Sequence, residues 1–139
     1  PAYRLALPDS VQAKQRRTHF RLALDADSGV RLRIRGPDGE RLLCTVLNLS
    51  QNGLGFSCQG NLSDSLRGSP LLRNCLLSIP GQPDIGCDLE ARSFEFRKQP
   101  HRHTVVGARL DNLAPASARQ LEQYLVLTQR QQRRETVRR

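Results

Sequence analysis

Gly29-Val30-Arg31-Leu32-Arg33-Ile34-Arg35 alternates without a break, and Gly36-Pro37-Asp38-Gly39 follows it directly. Val30, Leu32 and Ile34 share one parity; Arg31, Arg33 and Arg35 share the other. Successive strand side chains point to opposite faces, so this run buries one face and solvates the other. Gly, Pro and Asp are turn residues, and the next run, Glu40 to Leu49, again places Leu42, Cys44 and Val46 on one parity. Two half-buried strands joined by a short turn form an antiparallel hairpin.

The same reading extends C-terminally. A turn at Ser50 to Gly53 leads into Leu54, Phe56 and Cys58, which alternate inward and add a third strand. Residues 60–73 read as a polar loop with room for a helical turn. Asn74 to Ile79 is a short strand, and Gly81-Gln82-Pro83-Asp84 is a turn. Ile85 to Lys98 is a long strand with a slip in phase: Ile85, Cys87, Leu89 and Ala91 share one parity, Phe94 and Phe96 the other. One extra residue near Arg92-Ser93, a β-bulge, accounts for the slip. After a turn at Gln99 to His103, the last strand runs from Thr104 to Leu110, with Val106, Ala108 and Leu110 inward and Val105, Gly107 and Arg109 outward. Pro115 suits the first turn of a helix. Residues 116–134 are good helix formers, with Ala114, Ala118, Leu121 and Leu125 on one stripe and Tyr124 beside it. Beyond about Gln131 the helix is wholly polar and basic, and fraying is expected there. The fold class is mainly β: a small six-stranded antiparallel β-barrel with a C-terminal α-helix. Residues 1–14 read as a linker or arm, 15–134 as barrel and helix, and 135–139 as a basic tail.

Composition narrows the function. The 139 residues carry a net charge of +9, and 22 of them are Lys or Arg, with only Lys14 and Lys98 as lysines. An arginine bias suits phosphate and base recognition, although a GC-rich genome produces it too. Cys44, Cys58, Cys75 and Cys87 are widely spaced inside strand-like runs, so buried free thiols and a reducing, cytoplasmic compartment are expected rather than a zinc site. No apolar run is long enough for a membrane span, and no signal peptide is visible. The chain contains no methionine, even at position 1, so it reads as an excised piece or a processed product. His19, His101 and His103 sit in no nucleophile or metal signature; His101 and His103 read as solvated turn residues. No Walker loop, GxGxxG or HExxH pattern is present. The expectation is no enzyme, no metal and no cofactor.

Two further stretches remain: Gln15-Arg16-Arg17-Thr18-His19-Phe20-Arg21 and Asn48-Leu49-Ser50-Gln51-Asn52-Gly53. Each has an ordinary explanation alone, the first as a solvated charge run and the second as a turn. In this order on a small barrel, R-x-x-x-R (Arg17, Arg21) followed by D/N-x-S-x-x-G (Asn48, Ser50, Gly53) resembles the PilZ domain, a bacterial receptor for cyclic di-GMP. The N-terminal arginines and the basic C-terminal helix are similar to flagellar-brake (YcgR-type) members, in which the barrel follows a separate N-terminal domain. Gly107 and Arg109 resemble the family's closing strand. The similarity spans roughly residues 12 to 134.

The resemblance implies a ligand, cyclic di-GMP, and a site made of Arg16, Arg17, Arg21, Asn48, Ser50, Gly53, Gly107 and Arg109. Arg17 and Arg21 would pair with phosphate oxygens or guanine O6 and N7, with Arg16 adding a contact. Asn48 and Ser50 would bond a guanine edge or phosphate. Gly53 would supply either a positive φ or room for close approach. A charged linker has little to bury, so the arginine segment is expected to order on binding and switch conformation. The resemblance also implies flagellar motor stator or switch proteins as partners, and it admits a homodimer. A generic nucleic-acid-binding barrel is the alternative; it is disfavoured because the chain has no Trp and few other aromatics for base stacking. A ligand-free protein–protein interaction domain is the third reading.

Overall fold

The computed structural model describes residues 21–36 and 39–138. It contains seven strands: β1 (Leu22–Ala23), β2 (Arg31–Arg35), β3 (Arg41–Leu49), β4 (Gly53–Gln59), β5 (Leu71–Ser78), β6 (Ile85–Arg97) and β7 (His103–Asp111). Helix α1 covers Ser63–Gly68 and α2 covers Pro115–Arg138. Strand order is β1-β3-β2-β5-β6-β7-β4, and a β3–β4 pairing closes the last six into an antiparallel barrel, with β1 outside it. The expected six-stranded barrel with a terminal helix is therefore present, with one additional short strand.

Alternation builds the core as read. Val30, Leu32 and Ile34 are buried, opposite exposed or half-buried arginines. Phe56 is fully buried at the barrel's centre, facing Val46 on one side and Val106 on the other. All four cysteines are buried free thiols. Burial pushes Cys75 up to about 11 and Cys87 to about 12. Cys44, hydrogen-bonded to Cys58 and buried, is raised as well.

The β6 bulge falls where the phase slip places it: Ala91 pairs with Ala108, Ser93 with Gly107, and Arg92 is the extra residue. Past it, Phe94 and Phe96 pair with Val106 and Thr104, but both are only half-buried. Arginines cover them, with the Arg67 guanidinium 5.9 Å from the Phe94 ring centre and that of Arg102 5.0 Å from the Phe96 ring centre.

The helical turn read within residues 60–73 is present as α1, whose single buried residue, Leu66, joins the core. Four details differ from the sequence expectations. Strand β5 starts at Leu71 instead of Asn74. His103 is buried, not solvated: its Nδ1–H donates to the His101 carbonyl at 2.7 Å. On α2, Leu121 and Leu125 are buried and Tyr124 half-buried as read, but Ala118 and, just before the helix, Ala114 are exposed. The helix is bonded to the barrel at Gln120, whose Nε2 donates to the Pro83 carbonyl at 2.9 Å. Further along, Gln132 Nε2 donates to the Ala23 carbonyl at 3.0 Å, and the backbone stays helical through Arg138, past the expected fraying point.

Asn74 (φ 59°) and Asn112 (φ 58°) occupy the left-handed region, and both bond to one carboxylate. Asp88 Oδ1 accepts the Asn74 backbone N–H at 3.0 Å and Oδ2 accepts Asn112 Nδ2 at 2.7 Å. These bonds, with Arg73 nearby, hold the Asp88 carboxyl below its ordinary 3.8. A depressed folded value gives stability that is present above the unfolded value and lost as pH falls through the folded one. Asp88→Asn is therefore expected to melt at a lower temperature near neutral pH and to show a shallower loss of stability below pH 3.8. Thermal melts across that range check this; an acid limb identical to the parent's would contradict it.

Candidate functional site

Strand β1 positions the site's first residue. Leu22 pairs with Leu49 and Ala23 with Asn48, and the Leu24 N–H donates to the Leu47 carbonyl at 2.8 Å. The short ladder sets exposed Arg21 beside the turn that follows β3.

That turn is built by Ser50, which is buried. Its Oγ donates to the Gly53 carbonyl at 3.1 Å and accepts the N–H groups of Gly53 at 3.1 Å and Asn52 at 3.3 Å. A hydroxyl has one donor and two acceptor positions, and all three are used here. Ser50 therefore shapes the loop, and its expected bond to a ligand would have to displace one within the turn. The Asn52 carbonyl accepts the Leu110 N–H at 2.8 Å, which clamps the turn onto β7. Gly53 is present for close approach, not for a positive φ: a Cβ there would lie 2.5 Å from the Ala108 carbonyl oxygen.

Beyond the turn, one row crosses four strands. Asn48 on β3 pairs with Gly55 on β4, Gly55 with Gly107 on β7, and Gly107 with Ser93 on β6. A bulge lies at each end, between Val46 and Asn48 and between Ala91 and Ser93. Bulges bend strands and re-aim their side chains. The two glycines leave a trough whose rims lean inward: a Cβ on Gly55 would meet Asn48 Nδ2 at 2.6 Å, and one on Gly107 would meet Ser93 Oγ at 2.7 Å. Adjacent strands lie about 4.8 Å apart, so the row spans on the order of 14 Å.

Two adjoining cavities share Arg21, Ser93 and Gly107 and form one groove. The first, about 410 Å³, includes Asn48 and Gly55 in its lining. The second, about 350 Å³, includes Ser50, Gly53, Arg92 and Arg109. The larger cavity, about 710 Å³, lies between β2, α1 and β5, away from these residues. Arg109 bonds Asp111 through Nε at 3.2 Å and Nη2 at 3.1 Å. Arg97 Nη2 lies 3.3 Å from Glu95 Oε2. Asn48 Oδ1 is buried and has no hydrogen-bond partner among the described residues. Buried acceptors are nearly always paired, so this one calls for a donor.

Of the eight residues expected at the site, Arg21, Asn48, Ser50, Gly53, Gly107 and Arg109 converge on the groove. Arg16 and Arg17 lie outside the described residues. Gly55, Ser93 and Arg92 also line the groove and were not anticipated; the phase slip at Arg92-Ser93 hinted at the last two, and nothing at Gly55. Among the described residues no group of His, Cys, Asp or Glu could hold a metal ion. No helix among them is long and apolar enough to cross a membrane.

The groove's glycine floor yields a direct test. A Cβ at position 107 would crowd only Ser93 Oγ, a side-chain tip able to rotate away, and valine favours strands. Gly107→Val is expected to melt within a few degrees of the parent while its branched side chain fills the trough. Binding of any ligand lying across the row should fall by about 100-fold or more, as steric filling of a site requires. Unchanged affinity would show that no ligand uses this floor.

The PilZ domain family matches residues 15–127. This chain belongs to the PilZ family. Among relatives, the PilZ chain is 29% identical over 134 residues to the flagellar brake protein YcgR of Thioalkalivibrio sulfidiphilus, covering 95% of this chain and 52% of that protein. It is 26% identical over 133 residues to flagellar brake protein YcgR 2 of Dechloromonas aromatica, covering 94% and 53%. The chain thus spans about half the length of the curated relatives it matches. Among solved structures, the PilZ domain of Escherichia coli YcgR with c-di-GMP superimposes with a TM-score of 0.70 at 18% identity, covering 88% of this chain and 98% of that one. The MrkH–c-di-GMP complex of K. pneumonia gives 0.74 at 19% identity, covering 84% and 54%. These PilZ likenesses establish the shared barrel.

Proposed function

We propose that this PilZ domain is a receptor for cyclic di-GMP that binds the ligand in the groove between Arg21 and the Asn48–Gly55–Gly107–Ser93 row. The observation that carries the reading is the unpartnered Asn48 Oδ1 in a groove rimmed by arginines. A guanine edge presents N–H donors, and its O6 and N7 accept an arginine fork. A cyclic dinucleotide supplies two such bases and two phosphates. One ligand therefore satisfies the buried acceptor and the guanidinium groups together. The E. coli YcgR and K. pneumonia MrkH complexes, which share this barrel and contain c-di-GMP, support the same ligand.

Arg21 directly precedes β1, and β1 is paired to Asn48 itself. Ligand bound to Arg16, Arg17 and Arg21 therefore couples the segment before the barrel to the groove, and we take binding and conformational switching to be one event. The flagellar-brake relatives favour motility control as the output, with stator or switch proteins of the motor as partners. Four buried free thiols favour a cytoplasmic location.

Isothermal titration with cyclic di-GMP, linear pGpG and a single-stranded oligonucleotide tests the reading. Saturable binding of the cyclic ligand, tighter than either comparator, is expected. Preference for the oligonucleotide would replace the receptor with a nucleic-acid-binding barrel.

A further inference from the structure

Arg92 has no place in the motif, yet the fold delivers it to the groove. It is the extra residue of the β6 bulge, standing between Ala91, which pairs with Ala108, and Ser93, which pairs with Gly107. There it joins Arg21 and Arg109 around a cavity lined also by Gly53 and Gly107. A single carboxylate serves two of the three arginines: Glu90 Oε1 lies 3.0 Å from Arg92 Nε and 3.9 Å from Arg109 Nε. Glu90 sits directly across the ladder from Arg109, whose Nε and Nη2 both bond Asp111.

This pairing is exchangeable. The Arg92 side chain is 57% exposed and that of Glu90 32%, and ion pairs at such exposure are weak because water competes for both partners. Glu90 also engages Arg92 through Nε alone, which leaves the guanidinium fork unfilled. A phosphodiester presents two acceptor oxygens and a fixed negative charge, which is the shape a guanidinium binds best.

We propose that Arg92 is a further ligand-binding residue of this groove, gripping a phosphate of the cyclic dinucleotide, and that Glu90 is its built-in competitor. This inference rests on the receptor reading above. Before ligand arrives, Glu90 holds Arg92 in place and neutralises it. The arriving phosphate takes the guanidinium over, and the carboxylate left beside an anionic ligand opposes binding. Glu90 thereby sets how much ligand is needed to fill the site.

Calorimetric titration of cyclic di-GMP into the unsubstituted chain, Arg92→Ala, Arg92→Lys, Glu90→Gln and the Glu90→Gln/Arg92→Ala double variant tests this, with melting temperatures confirming folding. Arg92→Ala should weaken binding about tenfold, as expected for one charge-assisted contact. Arg92→Lys should fall between Arg92→Ala and the parent, because it keeps the charge and loses the fork. Glu90→Gln should tighten binding about threefold to tenfold, and that gain should shrink in the double variant. A structural role for Glu90 would weaken binding on substitution, so tightening separates the two. Arg92→Ala binding like the parent, or Glu90→Gln binding no tighter, overturns this inference and leaves the receptor reading standing. Failure of the unsubstituted chain to bind cyclic di-GMP overturns both.

Discussion

The Arg17→Ala/Arg21→Ala double variant is expected to lose cyclic di-GMP binding by about 100-fold or more while melting at the parent's temperature. Hydrogen bonds to a charged group contribute about 1.5–3 kcal/mol each, so either substitution alone should weaken binding by roughly 10- to 150-fold. The double effect need not be the sum, because the two arginines would share one ligand. Arg21 is exposed and lies outside the hydrophobic core, so its removal leaves the barrel intact. Calorimetry reads the affinity and a thermal melt reads the fold. Parent-like affinity in the double variant would remove the arginine motif from the site.

The second large effect is on stability. Phe56→Ala is expected to destabilise the barrel by about 3–5 kcal/mol, the usual cost of deleting a buried aromatic ring and leaving a cavity. Phe56 is fully buried and faces residues on both neighbouring strands, Val46 and Val106. A domain of this kind has only about 5–15 kcal/mol of stability in total, so the variant sits near the unfolding threshold. A urea titration should show a lower midpoint with a similar slope. Gly55, the preceding residue, forms part of the groove floor, so ligand and core report on each other. Ligand at about 100 times its dissociation constant should return about 2.7 kcal/mol to the variant. A midpoint equal to the parent's would mean that the core repacks around the missing ring.

The barrel was legible in the sequence because strand parity is local information. Val30, Leu32 and Ile34 announce their face within five residues, and the shift from Ala91 to Phe94 marks the bulge to within one position. Strand β1 was not legible, since two residues carry no period and its pairing depends on the end of β3. Helix α1 was legible only as a helical turn in a polar loop, since six residues with one buried leucine carry little period. On α2 the phase of the stripe was correct, but phase cannot say where a helix first touches the barrel. Ala114 and Ala118 stay in solvent.

The site divides along the same line. Asn48, Ser50 and Gly53 lie within six residues and could be recognised as a motif, although only the structure shows that Ser50 spends its hydroxyl inside the turn. Ser93 and Gly55 enter the groove through register across four strands, which no local pattern encodes. Glu90 meets Arg109 by register across the ladder, and Arg92 reaches the same cavity through the bulge.

Titrating cyclic di-GMP into the isotopically labelled chain and following backbone amide resonances locates the ligand without any substitution. Saturable shifts at Asn48, Gly53, Gly55, Ser93, Gly107 and Arg109, with the outward face of β2 unmoved, are the result expected here. No shifts at saturating ligand, or shifts confined to Arg31, Arg33 and Arg35 on β2, would contradict a binding groove between Arg21 and the glycine row.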